Sequence, residues 1–590
     1  MPMKWILTES NEEASSELAQ AAGLHPLVAR LMVNRGITDP AAALSFLTCD
    51  LSTLSDPRIF RDMERAVRRI RDALARKEKI VVYGDYDVDG ITASTLLTLV
   101  LRGLGAVVDW YIPDRMSEGY GLNAGALEMF KGSGTGLVIT VDCGISALHE
   151  AEQARSLGID LIITDHHELP GGRNDSGEER EAGQVGRSAP AAYAVIHPLL
   201  LAPDVPEPVA SSVAGLTGVG VAFKLAQALL DTGAGDAGVL HYLDLVTLGT
   251  VADMGSLTGE NRVLVKHGLE ALSSASAQRP GVAALKAVAG LTGKKVGVGT
   301  VGFSLAPRIN ASGRLENASA AFRLLSTESS SEAAELAEML DAMNRERRSI
   351  EDVIWEDARR MCLHKDIPST GALVLASEKW HPGVIGIVAS RIAEEFYRPT
   401  ALISLQDGIG KGSARSVPGF DLYRALVQCA DLLLGYGGHR YAAGFTVDQG
   451  RIEELSARLD AVARERAGAD GFVRTLRIDG SVSLAELGRE LVEEIERLAP
   501  FGQGNPEPRL GARGLEVISS RIVGAKHLKL RVRQGEGQPI DAIAFSRAGL
   551  HGKIARNGNR VAAVFTPRVN TWNNRTAVEL EVRDLKADKA

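Results

Sequence analysis

Between residues 79 and 197 short apolar, β-branched runs (KIVVYG, VVDWYIP, GLVITVDCG, DLIITDHH, AAYAVIHP) alternate with helix-like segments such as ITASTLLTLVLRGLG and SALHEAEQARSLG. Strands separated by helices of this kind predict a parallel sheet built from βαβ units. The clusters GDYDVDG, TVDCG and TDHH each begin where an apolar run ends. Open α/β sheets bind ligands outside the carboxyl ends of their strands, so these three turns are expected to converge on one site.

The rest of the chain divides by pattern. At 590 residues it exceeds what one hydrophobic core can organise. Apolar spacings of three and four predict a helical lead-in over 1–76, ahead of the α/β domain at 77–325. A long helical stretch over 326–365 is expected to connect to a smaller α/β domain at 366–470, which reopens with the buried-strand run GALVLAS. After LAPFGQGNPEP, read as a linker or turn, regular short strands within 471–590 predict an OB-like β-barrel. Residues 171–188, GGRNDSGEEREAGQVGRS, read as a mobile surface loop without chemistry.

Composition excludes several classes. No apolar run approaches the roughly 20 residues that span a bilayer, and the start MPMKWILTESNEE does not match a secretory signal. Four scattered cysteines (Cys49, Cys143, Cys362, Cys429) form no C-x-x-C pair, which predicts neither a disulfide framework nor zinc and fits the cytoplasm. The formal net charge of −8 argues against a surface that binds polyanions everywhere. From Glu507 onward, however, 16 Lys and Arg stand against 8 Asp and Glu, a balance of +8 that leaves −16 on the preceding chain.

Three acids in GDYDVDG repel one another unless something offsets them. A calcium loop of the EF-hand type needs a Glu at its twelfth position and a preceding helix, but counting from Asp85 that position is Leu96 and the flank is a strand. Turn chemistry explains one Asp easily but not three with further acids downstream. Taken alone, Asp142 in TVDCG reads more readily as a helix N-cap than as a ligand. Imidazole beside carboxylates in Asp165, His166 and His167 supplies a mixed set that suits Mn, Fe or Zn, and Asp253 ends another apolar helical run.

GDYDVDG, VDCG, TDHH and GTVADM, in this order, resemble the four motifs of the DHH phosphoesterase superfamily. APRINASGRL at 306–315, SEKWHPGVIGIVASRI at 377–392 and GGHRYAAGF at 437–445 are similar to its DHHA1 companion domain and the approach to it. The resemblance covers nearly the whole chain and implies a multidomain α/β protein: a DHH catalytic domain, a connecting helix, a DHHA1 domain and an OB-like nucleic-acid-binding barrel. It also implies a metal-dependent exonuclease that degrades single-stranded DNA from the 5′ end and releases 5′-mononucleotides, in recombination and repair. Two divalent ions, Mn2+ or Mg2+, would be held by Asp87 and Asp142 on one side and by Asp89, Asp142, His166 and Asp253 on the other, with Asp142 bridging. Asp85 stands as a ligand or an outer acid, Asp165 as the partner that orients a histidine, and His167 as a phosphate contact or proton donor.

Arg308, Asn310 and Arg314 are the candidates to offset phosphoryl charge. The same resemblance implies that Arg115, Ser413 and Arg415 form a pocket for the 5′-terminal phosphate and that His439 contacts a phosphate in the cleft. Tyr120 would stack on a base or serve as an interior tyrosine. In the tail, Lys526, Lys529, Arg531, Arg533, Arg568 and Trp572 would either track a single strand or form a solvated charged face. The implied partners are single-stranded DNA, with a helicase and a single-strand-binding protein of repair pathways, and the chain would be monomeric. Two alternatives remain open from the sequence: a phosphoesterase for short oligonucleotides or cyclic dinucleotides, and a non-catalytic DNA-binding scaffold.

Overall fold

The computed structural model describes residues 3–114, 118–119, 121–170, 189–231, 237–274, 278–315, 318–468, 471–556, 559–572 and 575–588. A short first strand, β1 (Lys4–Leu7), precedes helices Glu12–Ala22, Pro26–Val33, Pro40–Thr48 and Met63–Arg76. The apolar runs then form β2 (Lys79–Gly84), β3 (Val107–Tyr111), β4 (Thr135–Val141), β5 (Asp160–Thr164) and β6 (Ala194–Ile196). All four pairings are parallel and the order is β3-β2-β4-β5-β6. Every residue of β2 after Lys79 is buried, which is why the run carries no polar alternation. The chain steps outward from β2 to β3 and then crosses back to β4, so the order reverses between β2 and β4. That crevice is the switch point at which such sheets bind ligands.

Helix Ser330–Leu363 spans roughly 50 Å at 1.5 Å per residue. Ser329 caps it by accepting the amide of Glu332. Its first half buries Ala333, Leu336, Ala337 and Leu340 in the first lobe's core, and its second half buries Ile354, Ala358 and Cys362 in that of the next lobe. One helix is thus shared between two cores. The second lobe contains β7 (Leu373–Ser377), β8 (Thr400–Gln406), β9 (Ile409–Arg415), β10 (Leu433–Gly438) and β11 (Ala442–Asp448), ordered β10-β11-β9-β8-β7.

After β12 (Thr475–Ile478) and β13 (Gly480–Ser481) come β14 (Leu510–Val523), β15 (His527–Gln534), β16 (Ile540–Ala544), β17 (Arg560–Trp572) and β18 (Arg575–Ala587). The order β14-β15-β16-β18-β17 closes through β14–β17 pairing, giving a five-stranded barrel without a free edge among those strands. The first three N-terminal helices pack on this barrel, while helix Met63–Arg76 joins the core of the first lobe. Leu27, Val28, Leu31, Met32 and Ala43 share one core with barrel residues Leu515, Leu530, Phe565 and Leu580, and β1 pairs in parallel with β12.

LAPFGQGNPEP, the linker or turn between the second lobe and the barrel, is tied down by neighbouring elements. Buried Arg262, from helix Gly259–Ser273, donates to the carbonyls of Leu498 and Ala499 at 2.8 Å and lies 3.8 Å from the Phe46 ring centre. Leu257 N donates to Gln503 O (2.7 Å), and Arg35 Nε donates to Asn505 Oδ1 (2.9 Å). Burial lowers the Arg262 pKa to about 10, so the charge persists and its carbonyl partners offset its desolvation. Among the described residues no single helix is long and apolar enough to cross a membrane.

Candidate metal centre

At the switch point the strand ends place their acids together. Asp87 caps helix Val88–Gly103, its Oδ1 accepting from Asp89 N (2.9 Å) and Gly90 N (3.1 Å). Asp89, buried in that first turn, accepts from Gly218 N (2.7 Å) and Val219 N (3.0 Å) at the start of helix Gly218–Leu230. Asp142 follows β4 in the left-handed region at φ 61°, its amide donating to Thr164 O at 3.0 Å. A methyl at Gly218 would lie 2.5 Å from Asp142 Oδ1, so the close approach requires glycine there. His166 follows β5; its Nε2 is 3.1 Å from Asp142 Oδ1 and 3.8 Å from both Asp89 Oδ2 and Asp253 Oδ2. Asp253 sits at the C-terminal end of helix Leu243–Ala252, where the helix dipole disfavours an anion.

The electrostatics are those of a cage built for cations. Burial, and then the charge of Asp87, pushes Asp89 up to about 7. Burial and then Asp89 push Asp253 up to about 7. Asp142 is raised well above the usual carboxylate range by burial, then by Asp89, Asp87 and Asp85. His166 is lowered by burial and by His167, which favours a neutral ring with a nitrogen lone pair to offer. Asp142 Oδ1 and His166 Nε2 are buried atoms without a hydrogen bond among the described residues, whereas buried polar atoms are nearly always satisfied. Ligand atoms lie within 4.8 Å of one another in the groups Asp85–Asp87–Asp142, Asp89–His166–Asp253 and Asp142–His166–His167. Asp142 belongs to two of the three. These residues fit two neighbouring divalent cations, with the mixed O/N donor set that suits manganese.

Asp165 and His167 differ from the rest. Burial alone raises the Asp165 carboxyl, but hydrogen bonds from the His167 ring (2.7 Å) and from the amides of Ile145, His166 and His167 outweigh it and hold the pKa at about 2. Burial alone lowers His167, and the Asp165 bond overrides it, pushing the ring up to about 9. Sequence reasoning passed over His197, buried at the end of β6. Leu199 N donates to its Nδ1 (3.1 Å), which fixes the proton on Nε2, and Nε2 then donates to His167 O at 2.8 Å. Its place after the run AAYAVI, at a strand end like the other site residues, was the available signal.

The cationic candidates occupy other elements. Arg308, on helix Ala306–Leu315, donates to Asp341 Oδ1 on the long helix (2.9 Å) and to Ser304 O (2.5 Å). Asn310 lies half-buried on the same helix, and Arg314 reaches Gly383 O of the second lobe at 3.1 Å. On β9, Arg415 Nη1 is 3.1 Å from Ser413 Oγ, and a methyl at Gly386 would lie 2.8 Å from that hydroxyl, so helix Ile385–Phe396 starts against this pair. His439, in the β10–β11 turn, brings Nδ1 to 4.0 Å from Glu168 Oε1, next in sequence to His167. The second lobe therefore reaches the edge of the acid cluster. Arg115, Tyr120 and residues 171–188 lie outside the described residues, as does the Trp572 side chain.

A parallel sheet with a buried acid and histidine cage at its switch point, faced by a second α/β lobe, defines a phosphoesterase of the DHH class. Family models match in the same order: "DHH family, N-terminal domain" at 79–250, "DHHA1 domain" at 369–465 and "RecJ OB domain" at 478–584. The single-stranded-DNA-specific exonuclease RecJ of Bacillus subtilis is 37% identical over 99% of this chain and 70% of its own length. RecJ of Thermus thermophilus, solved in complex with Mn2+, superposes with a TM-score of 0.80 at 31% identity, over all of this chain and 80% of that one. Its Mg2+ complex gives 0.75 at 30% identity, with coverage of 100% and 79%. The chain belongs to the RecJ family.

Proposed function

We propose that this chain is a metal-dependent exonuclease specific for single-stranded DNA, which removes 5′-mononucleotides from the 5′ end in DNA recombination and repair. The observation that carries the reading is the cage itself: Asp142 Oδ1 and His166 Nε2, buried and unsatisfied, amid acids pushed toward neutrality. Asp87 and Asp142, with Asp85 beside them, would hold one cation, and Asp89, Asp142, His166 and Asp253 the other. Bound there, two divalent cations supply an electrophilic clamp on the attacking and leaving oxygens of a phosphodiester.

The chain's own residues do the rest. His167, kept protonated at neutral pH by Asp165, presents positive charge to a phosphate oxygen, while His197 fixes the main chain that carries it. Arg314 and Asn310 face the same demand from the adjoining helix, and Arg308 braces that helix against Asp341. Ser413 and Arg415, against the start of helix Ile385–Phe396, offer hydrogen bonds and charge to a terminal phosphate. Cleavage of the bond after the first nucleotide releases it with its 5′ phosphate and a 3′-hydroxyl. The shortened strand keeps a new 5′ phosphate for the same pocket. A helicase and a single-strand-binding protein are the partners this reading implies, with a monomer acting in the cytoplasm, where four buried free cysteines persist.

The test is a strand labelled at either end, digested in Mn2+ with and without chelator, beside a dinucleotide. Labelled mononucleotide is expected first from the 5′ label, with chelator abolishing it and the long strand preferred. Release from the 3′ label first would reverse the polarity, preference for the dinucleotide would favour a small-substrate enzyme, and no cleavage at all would favour a scaffold.

A further inference from the structure

Of the large apolar side chains among the described residues, the two most exposed are Phe303, at 81%, and Met254, at 70%. Met254 lies beside the acid cage, and Phe303 lies on a turn that packs against the helix leading into Asp253. Met254 directly follows Asp253, and a methyl at Gly302, next to Phe303, would lie 3.9 Å from Val251 Cγ1 on the helix that ends at Asp253.

Each is also displayed by a departure from regular backbone. Helix Leu243–Ala252 ends with Met254 N donating to Val251 O (3.3 Å) and Gly255 N donating to Thr250 O (2.9 Å), the paired bonds of a Schellman cap. The left-handed position of that cap favours glycine or asparagine, yet here it is Met254, at φ 59°. Phe303 occupies a π-helical turn, Val301–Leu305, which runs into the helix of Arg308, Asn310 and Arg314. Such turns insert an extra residue and recur at functional sites. Arg308 Nη1 donates to Ser304 O within the turn and so ties the phenylalanine's backbone to the site helix.

We infer that Phe303 and Met254 form a platform on which the base beside the scissile phosphate stacks. This inference rests on the proposed function and adds to it the residues that position the nucleotide. The occupant follows from continuity with the cage: a strand whose phosphate reaches Asp253 must put a base against the surface flanking it. An aromatic face accepts any base, and a thioether packs against aromatic rings, so the platform favours single strands without reading sequence. A paired base stays stacked on its neighbours and leaves the platform unused.

The experiment uses the full chain in Mn2+, with KM and kcat measured on an oligothymidylate and on the same strand with an abasic residue beside the scissile phosphate. Cleavage by the wild-type protein is scored first, and its absence overturns the proposed function and this inference with it. Given cleavage, Phe303→Ala is expected to raise KM on the intact strand about fivefold or more while kcat holds. Phe303→Trp restores KM, and on the abasic strand wild type and Phe303→Ala become equal. Met254→Asn, which suits the left-handed position, is expected to raise the melting temperature and still raise KM. In an Asp142→Asn background, the tryptophan of Phe303→Trp is expected to lose emission when the oligothymidylate binds. Unchanged KM in Phe303→Ala, an equal loss on the abasic strand, or unquenched emission each overturns the platform while leaving the exonuclease reading intact.

Discussion

In the first lobe Asp89, Asp142 and Asp253 surround the edge of His166 and Asp85 and Asp87 join them through Asp142, whereas in the barrel basic side chains pair with acids. Arg531 lies 3.8 Å from Asp541, Arg533 2.6 Å from Glu516 and Lys529 3.7 Å from Glu579, while Arg568 pairs with Glu507. The two regions spend charge differently. Cross-strand pairs of exposed groups are mutually neutralising and contribute little to stability. The acid cage crowds like charges into a buried site, which folding tolerates by shifting them toward the protonated form or by binding cations. Crowded like charge therefore marks the chemistry, and a count of basic residues in the tail overstates how much of it stands apart from acids.

The contrast can be broken first at its centre. Asp142→Ala removes the one carboxylate common to two of the ligand groups, and hydrolysis of single-stranded DNA is expected to fall on the order of 10³-fold or more while strand binding, measured by anisotropy, holds. A smaller loss follows one shell out. His197→Asn removes the donor to the His167 carbonyl, and manganese affinity or kcat is expected to drop by about 10- to 100-fold, with the fold intact by circular dichroism.

The pH dependence sharpens the same comparison. Asp89 and Asp253 titrate near 7 in the folded chain, above their unfolded range, so the metal-free folded state binds more protons than the unfolded one between about pH 4 and 7. Its stability accordingly falls as pH rises through that window. Manganese displaces those protons, and the rise in melting temperature it produces is expected to be larger at pH 8 than at pH 5.5. The smallest effect belongs to the barrel: Arg531→Ala, whose partner Asp541 is half exposed, is expected to change hydrolysis less than about twofold, as fits a surface pair.

The strand runs and their terminal acids were legible because burial on both faces leaves an unbroken apolar signature, and because capping accounts for a single acid at a strand end but not for acids after three strands in succession. Which strands neighbour one another was not, since the reversal between β2 and β4 is set by chain crossing and not by any local pattern. The same limit hid the union of the N-terminal helices with the barrel core and the carbonyl cage around Arg262, both made by residues hundreds of positions apart. Arg308 shows what a local reading of charge leaves out: it is read from the sequence as a phosphate contact, and its guanidinium also pairs with Asp341, 33 residues on. His197 was missed for the opposite reason. A single histidine after a strand carries little signal until the carbonyl it holds is known to be that of His167.

Five acids and His166 would form one cage for two cations, joined through Asp142. Titration of the metal-free protein with Mn2+, with free ion counted by electron paramagnetic resonance at pH 7.5, measures this directly. Two ions per chain are expected to bind to the wild-type protein, and Asp142→Ala is expected to weaken both. A single bound ion, or two that bind Asp142→Ala as tightly as the wild type, would show that Asp142 does not join two cation sites.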